Sequence, residues 1–238
     1  MHIKSFSDYL VEDTKEVTFV FGRFNPPTIG HEKLFDQTKK LSRGGTYRIY
    51  SSKSQDNTKN PLNFREKIKF IRKMFPNHAR NVMADKDVRN ALDICVKLYD
   101  QGFTKAQMIV GSDRVQEFDV LLNKYNGEKS RHGFYEFQGQ IKVLSAGDRD
   151  PDAEGVSGMS ASKMRQAAID GKLQIFAKGL PARFHPTDLY NAVRAGMGLK
   201  VEGFRPHVEL EKVSEVREDY IEERIFRIGS NVRLKESG

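Results

Sequence analysis

The sequence predicts an α/β fold, a Rossmann-like doubly wound parallel sheet, from three observations. Short runs of β-branched and aromatic residues alternate with amphipathic helical stretches over residues 16–146. The length of 238 residues is sufficient for one large or two small domains with a substantial core. Hydrophobic residues make up 38% of the chain and charged residues 30%, as in a globular protein rather than a disordered one. We therefore expect a five-stranded parallel sheet with right-handed helical crossovers, followed by a helical extension.

The predicted strands and helices alternate in a regular order. Strands are expected at 16–22, 46–52, 81–84, 106–112 and 140–146, and helices at 31–43, 62–75, 87–102 and 113–125. Each strand is short and rich in β-branched or aromatic residues, as in EVTFVFG at 16–22. Each helix repeats apolar residues at helical spacing, which in 62–75 are Phe64, Ile68, Ile71 and Phe75. Asp87 is placed to cap the third helix, and Gly102 is placed to end it.

The character of the sequence changes after residue 146. An acidic, glycine-rich segment at 147–158 precedes three short helical patterns at 159–171, 173–180 and 186–197. A charged amphipathic helix is expected at 207–226, and a lone strand-like segment follows it. We therefore expect a leader at 1–15, a sheet domain at 16–172 and a helical C-terminal extension at 173–238.

Composition and residue spacing indicate which classes of protein and which kinds of site the sequence is compatible with. Cys95 is the single cysteine and lies on the apolar face of its helix, so we expect it in the core. The N-terminal segment has no apolar stretch of signal-peptide length, which favours a cytoplasmic protein. The histidines at 78, 132, 185 and 207 lack metal-ligand spacing. The positive charge is concentrated in 36–105, where 16 lysines and arginines against 7 aspartates and glutamates exceed the net charge of +8 for the whole chain. Such a region suits a phosphate-rich partner or a solvated helix face.

The first chemical motif is the loop between the first strand and the first helix. It reads Gly22-Arg23-Phe24-Asn25-Pro26-Pro27-Thr28-Ile29-Gly30-His31. Glycine lets the backbone approach a ligand closely, and the start of the helix offers N–H groups and a positive dipole end to phosphate oxygens. The structural alternative is a tight strand-to-helix loop in which His31 is an ordinary polar residue.

The second motif lies about 130 residues later, at the start of a predicted helix. It reads Ser157-Gly158-Met159-Ser160-Ala161-Ser162-Lys163-Met164-Arg165. Serine hydroxyls and helix N–H groups can bind a phosphate, and the arginine one turn later supplies a fork of donors. The structural alternative is a helix cap with a surface arginine.

Together these motifs resemble those of the nucleotidylyltransferase superfamily, the HxGH enzymes related to cytidylyltransferases. The resemblance spans 16–172. Thr28-Ile29-Gly30-His31 is similar to HxGH, with threonine in the first-histidine position as in the phosphopantetheine adenylyltransferase branch, and 159–165 is similar to the ISSTxxR element. Gly22-Arg23-Phe24 and the segment that begins Asn60-Pro61 resemble the nicotinamide-nucleotide adenylyltransferase branch.

The resemblance implies a reaction and a set of residue roles. A phosphate-bearing acceptor, such as nicotinamide mononucleotide, would attack the α-phosphorus of a nucleoside triphosphate, with ATP favoured, and release pyrophosphate. Alignment and charge stabilisation would carry catalysis, with Mg²⁺ bound together with the triphosphate. Thr28, His31 and Arg165 would be catalytic, and the nucleotide would be bound by Gly22, Arg23, Phe24, Gly30, Ser160 and Ser162.

The acceptor is expected at the carboxyl ends of the neighbouring strands. Lys53 follows the second strand, Gly111 would admit a base or ribose, and Asp113 could accept hydrogen bonds from it. Arg65 and Arg114 could hold the acceptor phosphate, and Asn60 is a further candidate for substrate binding. Each charged residue has a structural alternative: an exposed loop lysine, a helix N-cap or a surface arginine.

Other interpretations stay open. A cytidylyltransferase acting on a sugar or alcohol phosphate would use the same two motifs. A non-catalytic nucleotide- or nucleic-acid-binding protein would keep the fold and the basic region but release no pyrophosphate. A class I aminoacyl-tRNA synthetase is disfavoured because Gly158 stands where its second motif would have lysine. FSDYLVED and the C-terminal segment resemble features of tailed-phage members of the superfamily, which would place the protein in a host cytoplasm. Nothing in the sequence fixes an oligomeric state.

Overall fold

A computed structural model describes residues 14–147 and 159–201, which form a parallel sheet covered by helices on both faces. The chain divides into two compact units between Lys200 and Val201, and all the elements described here belong to the first. The strands are β1 (Glu16–Gly22), β2 (Thr46–Ser51), β3 (Lys105–Val110) and β4 (Lys142–Ser145). The helices are α1 (Ile29–Leu41), α2 (Phe64–Met74), α3 (Ala91–Asp100), α4 (Val115–Lys124), α5 (Ala161–Ile169), α6 (Leu173–Ala177) and α7 (Thr187–Gly196). The predicted α/β class with a parallel sheet is confirmed.

The strand order creates a switch point between β1 and β3. The order is β2-β1-β3-β4, and every neighbouring pair is parallel. The chain moves from β1 to β2 in one direction and then crosses back over β1 to reach β3, so loops diverge at the carboxyl ends of β1 and β3. Gly22 ends β1 beside Ser51 of β2, and continuing the β1–β3 register brings Gly22 beside Gly111. A ligand crevice is therefore expected at these strand ends.

The prediction of a fifth strand at 81–84 is wrong within the described residues. Val82 makes one isolated parallel bridge to Ile49, and the Met83 N–H donates to the Ile49 carbonyl at 2.9 Å. The Val82 carbonyl accepts from the Arg72 guanidinium at 2.6 Å, directly after a 3₁₀ turn at Ala79–Asn81. Because the 3₁₀ turn takes Asn81 out of the extended conformation, this segment pairs with β2 at one bridge only.

Two hydrophobic cores lie on opposite faces of the sheet. Alternation along β1 sends Val20 to one face and Val17 and Phe19 to the other. The front core is formed with α1, α2 and α5–α7, and the back core with α3, α4 and residues 135–141. Cys95 is fully buried in the back core, as predicted from its helix face. Fully burying a large apolar side chain contributes about 1.5–3 kcal/mol, so both cores contribute strongly to the stability of the sheet.

Local capping corrects one predicted boundary and confirms another. Asp87 does not cap α3, which begins at Ala91 after Asn90 has accepted the Asp93 N–H at 3.0 Å. Asp87 and Asn90 are three residues apart, and the apolar pattern of the helix alone does not decide which of them is the N-cap. Gly102 ends α3 as predicted, in a left-handed conformation with φ of 78°. The Gly102 N–H donates to the Tyr99 carbonyl and the Phe103 N–H to the Leu98 carbonyl, which is the pattern of a Schellman motif.

The helices after residue 159 pack on the front face of the sheet. α5, α6 and α7 contact one another and contribute Met164, Phe176 and Val193 to the front core. The close packing of α7 depends on Gly196, because a Cβ there would lie 2.0 Å from the Pro61 carbonyl oxygen. The helix predicted at 207–226 and the strand-like segment after it lie outside the described residues. Across 14–147 and 159–201, no helix has the length and apolar character needed to cross a membrane.

Candidate active site

The loop from β1 to α1 is folded around the ring of Phe24. Phe24 has φ of 45° and is almost fully buried, with its ring edge-on to Phe35 at 5.1 Å and to His31 at 5.0 Å. A Cβ on Gly22 would lie 2.6 Å from the same ring, so glycine is required where the loop turns back. The sequence assigned Phe24 to nucleotide contact, whereas the structure turns its side chain into the core. Phe24 therefore supports the imidazole of His31.

Thr28 and His31 are bonded to each other at the start of α1. The Thr28 N–H donates to His31 Nδ1 at 2.9 Å, and the Thr28 hydroxyl lies 3.1 Å from the same nitrogen. Since Nδ1 accepts from a backbone N–H, the neutral ring carries its proton on Nε2. The helix begins immediately at Ile29, two residues earlier than predicted, with Thr28 as its extended N-cap. The pair fixes the orientation and tautomer of a potential donor.

The two sequence motifs meet through Arg165. Its Nη1 donates to the Asn25 carbonyl at 2.7 Å, and its Nη2 donates to the Ser162 hydroxyl at 3.0 Å. Burial lowers the pKa of Arg165, the neighbouring Arg23 lowers it further, and Asp56 opposes that shift. Arg23 directly follows β1 and is exposed, so the first motif contributes a second guanidinium. Two cations on these motifs favour polyanion binding.

The beginning of α5 carries the serines of the second motif. Ser160 is the N-cap, and its hydroxyl accepts the Lys163 N–H at 3.2 Å. Ser160 and Ser162 are both exposed, and the hydroxyl of Ser162 is held by Arg165. The predicted helix cap is therefore present. The capping role and a phosphate-binding role are compatible, because a hydroxyl can both accept and donate.

The first turn of α1 is anchored to the segment that follows α6. The Ile29 N–H donates to the Gly179 carbonyl at 2.8 Å. Gly179 itself is packed tightly, since a Cβ there would lie 2.4 Å from the Met164 sulfur. Gly30 is only partly buried, and it lies next to the Thr28–His31 pair. The helices after residue 159 thus fix the start of α1, which is the end of a helix that favours anions.

Several predicted acceptor residues lie on the segment that joins β2 to α2. Lys53 is exposed, and Asn60 is buried with its side chain bonded to Asp56. Asn60 Oδ1 and Ser52 Oγ are buried without a hydrogen-bond partner in the described parts of the chain. Arg65 is exposed in the first turn of α2. All of these residues lie on or next to the chain segment between β2 and α2. Leu62 links this segment to the first motif, because its carbonyl accepts from the Asn25 side-chain amide at 2.9 Å and its N–H donates to the Asn25 side-chain oxygen at 3.0 Å.

The predicted residues after β3 form a separate group. A Cβ on Gly111 would lie 2.7 Å from an oxygen of Asp113, so this carboxylate folds back over the end of β3. Asp113 makes no side-chain cap bond to the 3₁₀ turn or to α4. The Arg114 guanidinium forms an ion pair with Glu117 at 2.7 Å and lies over the Phe118 ring. Arg114 is thus held by its neighbours Glu117 and Phe118, whereas Gly111 lies against Asp113.

Three residues that sequence reasoning missed organise the site. Asn25 ties the first loop to Leu62, and Asp56 accepts four hydrogen bonds within the turn at 56–60 and a fifth from the Asn60 side chain. These donors hold the pKa of Asp56 well below its usual range, with Asn60 the largest cause.

The third of these residues, Lys67, is fully buried on α2. Its position was visible in the sequence, because Lys67 lies three residues after Phe64 and four before Ile71 on the apolar face.

Cys95 and His78 are two further buried titratable side chains among the described residues. Burial raises the pKa of the Cys95 thiol, which makes it a poor nucleophile. His78 is buried between the Tyr47 hydroxyl at 3.1 Å and an Asp36 oxygen at 3.0 Å. No cluster of three or more metal-ligating side chains occurs within 14–147 and 159–201.

The chain is similar to known proteins in its three-dimensional structure and not in its sequence. No protein-family model matches the chain, and no curated protein sequence is similar to it. Among solved structures, it is similar to Plasmodium falciparum nicotinic acid mononucleotide adenylyltransferase complexed with NaAD. The TM-score is 0.45 at 11% identity, over 69% of this chain and 94% of that chain. A function for this chain is therefore inferred from its own side chains.

Proposed function

We propose that the protein is a nucleotidylyltransferase that transfers AMP from ATP to a phosphate-bearing small molecule, such as nicotinamide mononucleotide, and releases pyrophosphate. The observation that carries this proposal is the bond from Arg165 to the Asn25 carbonyl, at 2.7 Å across 140 residues of sequence. This bond links the guanidinium of Arg165 and the serine-capped start of α5 to the loop after β1, which also carries the oriented His31. A triphosphate needs this combination of cationic and neutral donors.

The donor side acts by alignment and by charge stabilisation. With Nδ1 engaged by Thr28, His31 Nε2–H is the group that would donate to an α-phosphate oxygen as negative charge develops there. Arg23 and Arg165 would bind the outer phosphates, with Ser160 and Ser162 contributing hydroxyls. No covalent intermediate is required, because the acceptor phosphate is itself the nucleophile.

Magnesium fits this site only as a partner of the triphosphate. The described residues hold no carboxylate cluster that would bind the ion alone, and Mg²⁺ in such sites is usually coordinated by phosphate oxygens and water with few protein ligands. When bound, the ion would neutralise phosphate charge during transfer. The protein residues would then position the chain of phosphates.

The acceptor side is assigned to the connection between β2 and α2. Lys53 supplies an exposed cation there, and Asn60 Oδ1 and Ser52 Oγ are buried polar atoms without partners in the described chain. Gly111 follows β3, and the Asp113 carboxylate that lies against it would accept hydrogen bonds from a base or ribose. The acceptor phosphate would thus approach the α-phosphate between β2 and the β1–α1 loop.

A screen of pyrophosphate release tests the proposal. ATP and CTP with Mg²⁺ are each combined with nicotinamide mononucleotide, phosphopantetheine, glycerol phosphate and sugar phosphates. Release that requires both ATP and one acceptor supports it, and a clear preference for CTP would replace AMP transfer by CMP transfer.

Thermal stabilisation checks the choice of base without an acceptor. A ligand at about 100 times its dissociation constant adds roughly 2.7 kcal/mol to the folded state. We expect ATP with Mg²⁺ to raise the melting temperature more than CTP, GTP or UTP. Strong binding of nucleic acid, with no shift from any triphosphate, would favour a non-catalytic binding protein.

A further inference from the structure

Lys67 is a charged side chain that has no direct access to solvent. It lies on α2 with 0% of its surface exposed, among apolar residues of the front core. Its ammonium donates to the Ser52 carbonyl and to the Ser54 carbonyl, the latter at 3.1 Å. Burial lowers the pKa of Lys67 to about 8. A methionine would fill such a position without the loss of hydration, so the lysine is better explained by the two carbonyls than by the core.

Both carbonyls belong to the residues that flank Lys53. Ser52 lies directly after β2 and its N–H donates to the Gly22 carbonyl at 2.9 Å, whereas Ser54 and Lys53 are exposed. One ammonium therefore fixes the backbone on each side of an exposed lysine. Lys67 thus contacts this segment from the protein interior, whereas the side chain of Lys53 is exposed to solvent.

The same connection is bonded to the donor side. Asp56 closes the turn at 56–60, the Asn60 side chain donates to Asp56, and Leu62 bonds to Asn25. Asn25 in turn accepts from Arg165. Movement of the segment at 52–56 is thus restrained at one end by Lys67 and at the other by the loop that holds Arg165.

We propose that Lys67 is a positioning residue that holds the backbone on both sides of Lys53, so that Lys53 meets the phosphate of the acceptor. This inference rests on the proposed function for the identity of the ligand. The hold on the backbone itself is independent of any ligand and can be measured separately.

Hydrogen–deuterium exchange over residues 52–60 measures directly how strongly Lys67 restrains this backbone segment. The variant Lys67→Met removes the ammonium, Lys67→Arg retains a cation with several donors, and Lys69→Met is the control, since Lys69 is an exposed lysine on the same helix. Exchange over 52–60 should be faster in Lys67→Met by on the order of tenfold, given the usual strength of hydrogen bonds to charged groups. It should be unchanged in Lys69→Met and largely restored in Lys67→Arg. If Lys67→Met does not fold, Lys67→Gln takes its place.

Steady-state kinetics with ATP and nicotinamide mononucleotide test the role in binding. Lys53→Met and Lys67→Met should each raise the acceptor KM by roughly tenfold, while the ATP KM stays within about twofold of wild type. The double variant should be no worse than either single variant, because both remove the same contact. KM increases that multiply, or an equal effect on ATP, would overturn the positioning role.

Failure of the proposed function has a different signature. If wild-type protein releases no pyrophosphate with any acceptor, the transferase assignment fails, and the exchange experiment still decides whether Lys67 holds 52–60. Unchanged exchange in Lys67→Met overturns the inference even in an active enzyme.

Discussion

His31 is the residue whose hydrogen bonds define what the site can do. Its Nδ1 accepts from the Thr28 N–H, and its ring is braced by Phe24. In the neutral ring the proton is therefore on Nε2, where, under the proposed function, it would stabilise charge that appears only during transfer. The imidazole would then act through its orientation and not through its basicity.

We expect His31→Ala to lower the rate of pyrophosphate release by about 10²–10³. The fold should survive, since His31 is only partly buried. Turnover under saturating ATP and acceptor, together with the melting temperature, makes the comparison, and His185→Ala is the matched control at an exposed histidine. Wild-type turnover in His31→Ala would remove its catalytic role.

Arg165 links the motifs through a fork that lysine cannot reproduce. Arg165→Ala should weaken ATP binding and slow transfer, and Arg165→Lys should recover only part of both, because one ammonium replaces two directed donors. The comparison uses ATP affinity and turnover in parallel, with Gln166→Ala as an exposed control on the same helix. Full rescue by lysine would show that charge alone matters.

At the scale of elements, the regular parts of the chain were predictable and their ends were less so. The strands β1–β4 and their helices follow from hydrophobic periodicity, since each element buries one face. The segment at 81–84 has strand composition, yet it directly follows a 3₁₀ turn and makes one isolated bridge to Ile49. The start of α3 depends on which side chain reaches the Asp93 N–H, and Asn90 does so rather than Asp87. The turn and the cap are local features that periodicity does not encode.

Packing of α7 against the connection before α2 gives a test at this scale. In Gly196→Ala, the new methyl group would overlap the Pro61 carbonyl, so the helix must shift. We expect the free energy of unfolding to fall by about 1–3 kcal/mol. Urea denaturation measures the change, and Ala195→Ser, at the exposed neighbouring position, should leave it nearly unaltered. Equal stability of Gly196→Ala and wild type would mean that α7 does not pack there.

At the scale of the whole molecule, the sequence identified the motifs but not the bonds that assemble them. The loop at 22–31 and the helix start at 160 were predicted to act together, and Arg165 does contact the first loop. Asn25 and Asp56 were not found, because their roles arise from donors that are brought near them by folding. Phe24 was assigned to the ligand although its apolar ring is better accommodated in the core. Separating a ligand-facing aromatic residue from a core one requires knowledge of where the loop turns.

Lys67 makes the stability of the molecule depend on pH. Its pKa of about 8 in the folded protein lies below the ordinary value of 10.5, so between these values the unfolded chain binds more protons. Stability therefore rises with pH across that window, and below it the full penalty of the buried charge remains. We expect the free energy of unfolding of wild type, relative to Lys67→Met, to increase by roughly 2–3 kcal/mol from pH 8 to pH 10.5. A difference that stays constant across this window would contradict the burial of a charged Lys67.

The fate of labelled ATP tests the central claim most directly. ATP labelled at the α-phosphorus is incubated with Mg²⁺, the wild-type protein and each acceptor of the screen in turn, and the products are separated. Nucleotidyl transfer predicts that the label enters a conjugate with one acceptor in equal amount to the pyrophosphate released, and that both fall together in Arg165→Ala. Label recovered only in free AMP or ADP, with no conjugate to any acceptor of the screen, would contradict the account.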